Sequence, residues 1–376
     1  MRIRKTILQL SLGALLSVSL IAACSPAATP VPNIQPTIAP TTAPTIAPTV
    51  APTVAPTVAP TTAPTVAPTV APTVAPTTAP TVAPTTAPTV ASPTSAASEI
   101  TVTDSAGRSL TLTAIPARIV SLAPSTTEIV CAVGACDKLV GVDQFSDYPA
   151  QVKAVPKLSD GFNPNYEQIV AAKPDLILVA GITSPDVIKK LDELKLSLLV
   201  VGAEKSTFDT IASEIKMVGA AVGNPDQADT VVTAMWAKIA EVEQKVAQAK
   251  TQPRVFWEID ATDPAKPFTS GPGSFVDEII KRAGGINIAA SATSPYPQLN
   301  VEEIIKANPQ VIILSDAAYG IAPESVGKRP GWNVIEAVKL NQVFPIDDNL
   351  VSRPGPRVAD GLEAAAKLIH PELFTQ

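Results

Sequence analysis

A single histidine, His370, occurs in 376 residues, in a Leu-Ile-His-Pro setting near the end of the chain. One imidazole cannot form a histidine cluster for zinc, and no ordinary Ser-His-Asp triad is evident. His370 therefore reads as a packing or helix-terminal residue, and Ser121, Ser125 and Thr126, with no neighbouring base, read as loop or helix-cap residues. Positive charge is also scarce, with 28 Lys and Arg against 34 Asp and Glu and a net charge of −6. No basic stripe is present, so nucleic acid is not expected as a partner. Long apolar runs are few, and the one from Ile7 to Ala23 is too short for a comfortable membrane span.

Much of what is abundant belongs to the first hundred residues. Arg2, Arg4 and Lys5 precede the apolar run, the pattern of a signal peptide over residues 1–23. Leu20-Ile21-Ala22-Ala23-Cys24 resembles a bacterial lipobox, which implies cleavage before Cys24, lipid on its thiol and new amino terminus, and an anchor on an extracytoplasmic membrane surface. A linker over 24–97 follows, built on Ala-Pro-Thr-Val and its variants, with proline at every fourth position from Pro36 to Pro88. Prolines at that spacing fix φ and remove the N–H groups a helix or central strand requires, so an extended polyproline-like stalk is expected. The repeat tract within it, about Thr29 to Thr94, has ~65 residues and reaches on the order of 200 Å at ~3.1 Å each if fully extended.

The folded part, from Ser98 to Gln376, repeats itself. Asn165-Tyr166-Glu167-Gln168-Ile169 leads into Lys173-Pro174-Asp175-Leu176-Ile177-Leu178, and Asn300-Val301-Glu302-Glu303-Ile304 leads into Asn308-Pro309-Gln310-Val311-Ile312-Ile313, an offset of 135 residues. Each copy reads as helix, proline break and buried strand. Arg118-Ile119-Val120 and Arg254-Val255-Phe256 form a further matching pair. The expected fold is α/β, with two similar Rossmann-like lobes of parallel sheet, 98–222 and 253–376, joined over 223–252 by one long α-helix. Asp226 to Lys250 lacks glycine and proline, and Val231, Ala234, Met235, Ala237, Ile239 and Val242 give it an apolar face. Such a helix makes a stiff connection, so small adjustments around an interlobe cleft are expected rather than wide hinge closure.

The segment from Arg118 through Ser121-Leu122-Ala123-Pro124-Ser125-Thr126-Thr127-Glu128, with Val140-Gly141-Val142 and Ser146-Asp147-Tyr148-Pro149, resembles the helical-backbone substrate-binding proteins of ABC importers. The likeness continues through Pro267-Phe268-Thr269-Ser270-Gly271, Tyr296-Pro297-Gln298 and Arg353-Pro354-Gly355-Pro356-Arg357, covering nearly all of residues 99–374. Within that group it is most similar to the vitamin B12-binding proteins. The resemblance implies a non-enzymatic receptor with no cofactor of its own, which carries a corrinoid to a permease dimer. An iron–siderophore or haem is the alternative ligand.

Carried over to matching positions, the resemblance implies ligand contacts from Pro124, Tyr148, Phe268, Tyr296 and Arg353, with Phe162 and Asn349 nearby. The tryptophan-rich rim of the resembling proteins is replaced here by Gly161-Phe162 and Asn349-Leu350. Glu167 and Glu302 match the glutamates that dock onto permease arginines, although a first-turn glutamate also complements a helix dipole. Pro354 and Pro356 stiffen the backbone around Arg353, which is expected to face the ligand or to close the lobes through a carboxylate such as Asp347 or Asp348; Arg357 is expected to be structural. Cys131 and Cys136 can form a short-loop disulfide if their Cα atoms lie within about 7 Å.

Overall fold

The computed structural model describes residues 99–202 and 205–375. Cys24, the leader and the stalk lie outside the described residues.

A hairpin of β1 (Ile100–Thr103) and β2 (Ser109–Leu112) comes first. Its turn is held by Asp104, whose Oδ1 accepts from the backbone N–H of Ala106 and Arg108 at 3.0 and 2.8 Å. The first lobe then alternates strand and helix: β3 (Ile119–Ser121), α1 (Pro124–Ala132), β4 (Leu139–Asp143), β5 (Lys157–Ser159), α2 (Tyr166–Ala171), β6 (Leu176–Ala180), α3 (Pro185–Glu193), β7 (Leu198–Val201) and α4 (Phe208–Ala221). Its strands are all parallel in the order β5-β4-β3-β6-β7. Both faces are covered, so the interior strand β6, between β3 and β7, is a continuous apolar run, buried from Leu176 through Val179.

After α5 (Pro225–Val246) the second lobe runs β8 (Arg254–Asp260), β9 (Phe268–Thr269), α6 (Phe275–Arg282), β10 (Ile286–Asn287), α7 (Val301–Ala307), β11 (Val311–Leu314), α8 (Pro323–Val326), α9 (Glu336–Lys339), β12 (Val343–Pro345), α10 (Asp348–Val351) and α11 (Val358–Ile369). β10-β8-β11-β12 are parallel, and β9 pairs antiparallel with β8. Beyond the expected parallel sheets, β1 and β2 form a separate two-stranded antiparallel sheet, and β9 adds an antiparallel pairing to the second lobe. The two residues of β9 are too few to show any periodicity in the sequence.

The repeat is reproduced in atomic detail. Arg118 Nε donates to the carbonyls of Ala172 and Lys173 at the end of α2, and Arg254 Nε donates to those of Ala307 and Asn308 at the end of α7. The carbonyls left unpaired at a helix end thus receive an arginine in both lobes. Lys173 and Asn308 both take positive φ, 48° and 45°, which turns the chain into the strand that follows. Asn165 and Asn300 cap their helices by accepting from Gln168 N and Glu303 N.

The connecting helix is shorter than the sequence pattern suggested. α5 has 22 residues, ~33 Å at ~1.5 Å per residue, and ends at Val246 instead of Lys250. The amides of Gln248 and Ala249 turn to the carbonyls of Lys245 and Val246, tightening the backbone out of the helix. Its buried seam is Ala228, Val232, Met235, Ile239 and Val242, whereas Ala234 and Ala237, expected on the apolar face, are exposed. A narrow seam suffices because α5 lies along α4 and α11, each of which covers one side of it. Lys238 adds ion pairs to Asp360 and Glu363 of α11. One apolar cluster runs from Ile119 and Val142 through Met235 and Ile239 to Trp257 and Leu362, so the two lobes share a core.

Cys131 and Cys136 are joined by a disulfide, with Cα atoms 4.0 Å apart. His370 is buried at the C-terminal end of α11, its ring nitrogens 3.2 Å from Glu372 Oε1 and 3.4 Å from the Gly284 carbonyl oxygen.

Candidate functional site

Parallel strands deliver their following loops to one edge of a sheet, and in open α/β sheets ligands bind outside that edge. In the first lobe the segments after β3, β4 and β5 carry Pro124, then Phe145, Asp147 and Tyr148, then Phe162. In the second, the end of β8 carries Phe268, because β9 places it opposite Asp260. Tyr296 lies beside it, where Thr269 N donates to the Pro297 carbonyl. The segment after β11 carries Tyr319, and that after β12 carries Asn349, Arg353 and Arg357.

These edges meet through ions. Glu128 on α1 has only 3% of its side chain exposed, and Arg357 grips it with Nε to Oε2 at 2.8 Å and Nη2 to Oε1 at 2.6 Å. Arg353 Nη1 reaches the same Oε1 at 3.0 Å and Asp147 Oδ1 at 2.7 Å, while its Nη2 donates to the Phe145 carbonyl at 3.2 Å. The interlobe ion pair considered for Arg353 therefore exists, but with Glu128 and Asp147 instead of Asp347 or Asp348. Asp347 caps α10 by accepting from Asn349 N, and Asp348 accepts from the Tyr319 hydroxyl at 3.2 Å. Sequence spacing favours near neighbours, whereas Glu128 is 225 residues away from Arg353. Arg357 also stacks over the Tyr148 ring at 4.1 Å and donates to the Asn349 carbonyl, tying two expected ligand residues to the clamp.

The loop that carries Phe145, Asp147 and Tyr148 is fixed from below. Asp143 is fully buried and its Oδ1 accepts from Phe145 N at 2.8 Å. Ser146 Oγ lies against Asp143 and, at 2.8 Å, against Thr127 Oγ1, which donates to Ser121 Oγ; Ser121 Oγ in turn is 2.7 Å from Thr126 Oγ1. The serine and threonine hydroxyls are spent on this scaffold. Burial pushes the Asp143 carboxyl up, against the opposing hydrogen bonds from Ser146 and Phe145.

The rims of the edges are apolar and open. Phe162 is 79% exposed and Phe145 51%, and Phe145 packs where a Cβ on Gly161 would stand 2.7 Å from its ring. Gly161 also has φ +96°, so it is required both for space and for backbone. Tyr148, Phe268 and Tyr296 are likewise exposed. Phe145, Ile182 after β6 and Tyr319 extend this apolar rim and were missed by sequence reading. Their only sequence signal is a large apolar residue just beyond a strand end. Two other depressions, of about 370 and 470 Å³, contain none of the expected ligand residues.

Behind the Tyr319 turn, Arg329 holds buried Glu258 with Nη2 to Oε1 at 2.7 Å, and Asp316 lies beside them with Oδ2 accepting from Ala261 N at 3.1 Å. Burial, followed by the charge of Glu258, pushes the Asp316 carboxyl up to about 7 from an ordinary 3.8. The fold thus accommodates the neutral acid: this stability is fully present below about pH 3.8 and is lost as pH rises through about 7. Asp316→Asn should flatten that slope and raise the urea midpoint at alkaline pH; equal midpoints for variant and wild type at pH 8.5 would count against it.

Glu167 and Glu302 both lie exposed in the first turns of α2 and α7, and neither has an ion-pair or hydrogen-bond partner among the described residues. Hydrogen-bonded capping is done by Asn165, Asn300 and Glu303, the last accepting from Asn300 N at 2.9 Å.

Among known proteins, the model of the family described as periplasmic binding protein matches residues 119–350. An ABC transporter substrate-binding lipoprotein of Bacillus subtilis is 34% identical over 280 residues, 74% of this chain and 87% of that one. A vitamin B12-binding protein of Vibrio cholerae is 32% identical over 250 residues, 65% of this chain and 86% of that one. The solved structure of a periplasmic haem-binding protein from Roseiflexus sp. RS-1 superposes with a TM-score of 0.62 at 25% identity, covering 68% of this chain and 98% of its own. With two α/β lobes bridged by one helix and an ion-clamped, aromatic-rimmed edge between them, the chain belongs to the periplasmic binding protein family, a family of transport solute-binding proteins and not of enzymes.

Proposed function

We propose that this protein is the lipid-anchored receptor of an ABC importer and that its solute is a corrinoid. The importer role is supported by the Bacillus subtilis relative, and the corrinoid by the Vibrio cholerae one. The observation that favours a corrinoid over haem or a ferric siderophore is the ion pairing of the cleft arginines. Arg353 and Arg357 are both committed to Glu128 and Asp147, two positive charges against two negative ones. Haem presents propionates, and many siderophores present carboxylates or catecholates, so both call for surplus positive charge. A corrinoid is a broad disc fringed with neutral amides, which suits exposed aromatic faces from both lobes together with arginine N–H groups that remain available as donors.

In this reading Tyr148, Phe162, Phe268 and Tyr296 pack against the disc, with Pro124 and Asn349 at its edge and Arg353 donating to an amide oxygen. Glu167 and Glu302 present one carboxylate per lobe to a permease dimer, and Cys24 holds the protein at the membrane. Calorimetric titration with cyanocobalamin and dicyanocobinamide, alongside haemin and ferric siderophores, tests the ligand. One-to-one corrinoid binding that weakens at least about tenfold in Tyr148→Ala is expected, ~1.4 kcal/mol for one lost stacking face. Saturable binding of an iron chelate with no heat from either corrinoid would leave the receptor role and remove the corrinoid.

A further inference from the structure

We propose that Asp147 is the residue that sets the charge preference of the cleft, holding Arg353 neutralised so that ligands with an anionic rim are refused; this rests on the corrinoid reading. Glu128 and Asp147 share Arg353 but are not equivalent. Glu128 is buried and already held by two hydrogen bonds from Arg357, so its charge is satisfied without Arg353. Asp147 is 47% exposed and lies on the loop that carries Phe145 and Tyr148, at the cleft surface. Partial burial works to raise its carboxyl, but the hydrogen bond and charge of Arg353, with Lys153 adding, hold it below the ordinary range. It is therefore ionised at neutral pH.

The four groups Glu128, Asp147, Arg353 and Arg357 sum to no net charge, and their distribution matters more than the sum. The outermost member is the carboxylate, so a propionate or catecholate approaching Arg353 meets a like charge first, and must displace it to reach the guanidinium. A neutral amide oxygen meets no such repulsion, and Arg353 keeps unused N–H donors for it while Nη1 stays on Asp147. Removing the Asp147 charge leaves Arg353 still paired to Glu128 at 3.0 Å, so the clamp survives while the cluster gains one positive charge.

The test compares wild type, Asp147→Asn and Asp147→Glu in the full chain, titrated with haemin and with dicyanocobinamide, which carries no net charge and no phosphate. Asp147→Asn is expected to bind haemin about tenfold more tightly than wild type, with dicyanocobinamide within about twofold. Asp147→Glu is expected to restore the wild-type ratio, which a merely structural role for the side chain would not do. Unchanged or undetectable haemin binding by Asp147→Asn, or parallel shifts for both ligands, overturns the proposal. The corrinoid reading fails separately, through absence of dicyanocobinamide binding by wild type, whatever the haemin ratio shows.

Discussion

Glu128→Ala is expected to lose about 3–5 kcal/mol of stability, the largest effect of any single change at the cleft. The carboxylate is 3% exposed and receives three charged hydrogen bonds from two arginines whose side chains are themselves 12% and 16% exposed. Deleting it leaves two mostly buried guanidinium groups without their shared counter-ion, and Asp147 can serve only Arg353. The cost is therefore the uncompensated burial of charge as well as the loss of attraction. Because the clamp joins α1 to the segment before α11, and because the lobes share an apolar cluster through α5, the loss should show in a single urea transition for both lobes. Glu128→Gln keeps the volume and one acceptor, so it should lose less than the alanine variant. A loss below about 1 kcal/mol for Glu128→Ala would mean that water, not glutamate, balances the arginines.

If Glu167 and Glu302 dock the permease as proposed, reversing both charges should have the opposite signature, with solute affinity intact and transport gone. Glu167→Lys with Glu302→Lys is expected to reduce uptake by at least about a hundredfold in cells, while the purified variant binds its solute within about twofold of wild type; two like-charge contacts at a few kcal/mol in sum account for that ratio. The two carboxylates stand at equivalent places on α2 and α7 and bond to nothing among the described residues, so their replacement removes no internal contact. Asn165, Asn300 and Glu303 keep the caps in place. Each single reversal is expected to fall between wild type and the double variant. Normal uptake by the double variant would return Glu167 and Glu302 to a purely dipolar role, worth ~0.3–1 kcal/mol each to their helices.

Which parts of this architecture were legible in advance follows from the range of the forces involved. The Asn, Glu, Ile and Pro positions repeated at an offset of 135 residues announce two equivalent helix–strand units, because capping, helix termination and strand burial are all decided within a few residues. Even so, the repeat did not reveal that Arg118 and Arg254 close the ends of α2 and α7, a contact spanning more than fifty residues in each lobe. The length of α5 was overestimated for a related reason. Nothing in its composition forbids helix as far as Lys250, and the exit at Val246 is set by backbone turns at the junction with the second lobe.

At the site the division is sharper. The chain by itself determined the two α/β halves, the helix between them, a glutamate in the first turn of each repeated helix, and a pair of arginines stiffened by Pro354 and Pro356. Each of these is local, written in periodicity, capping residues or fixed φ. Only the tertiary structure decided what the arginines hold. Opposite charges 225 and 229 residues apart become neighbours because two sheet edges face each other, and desolvation then selects Glu128 as the inner partner and leaves Asp147 as the outer one. The aromatic rim followed the same rule: Phe145, Ile182 and Tyr319 are ordinary apolar residues along the chain, and strand ends that the fold brings to one edge make them part of a surface.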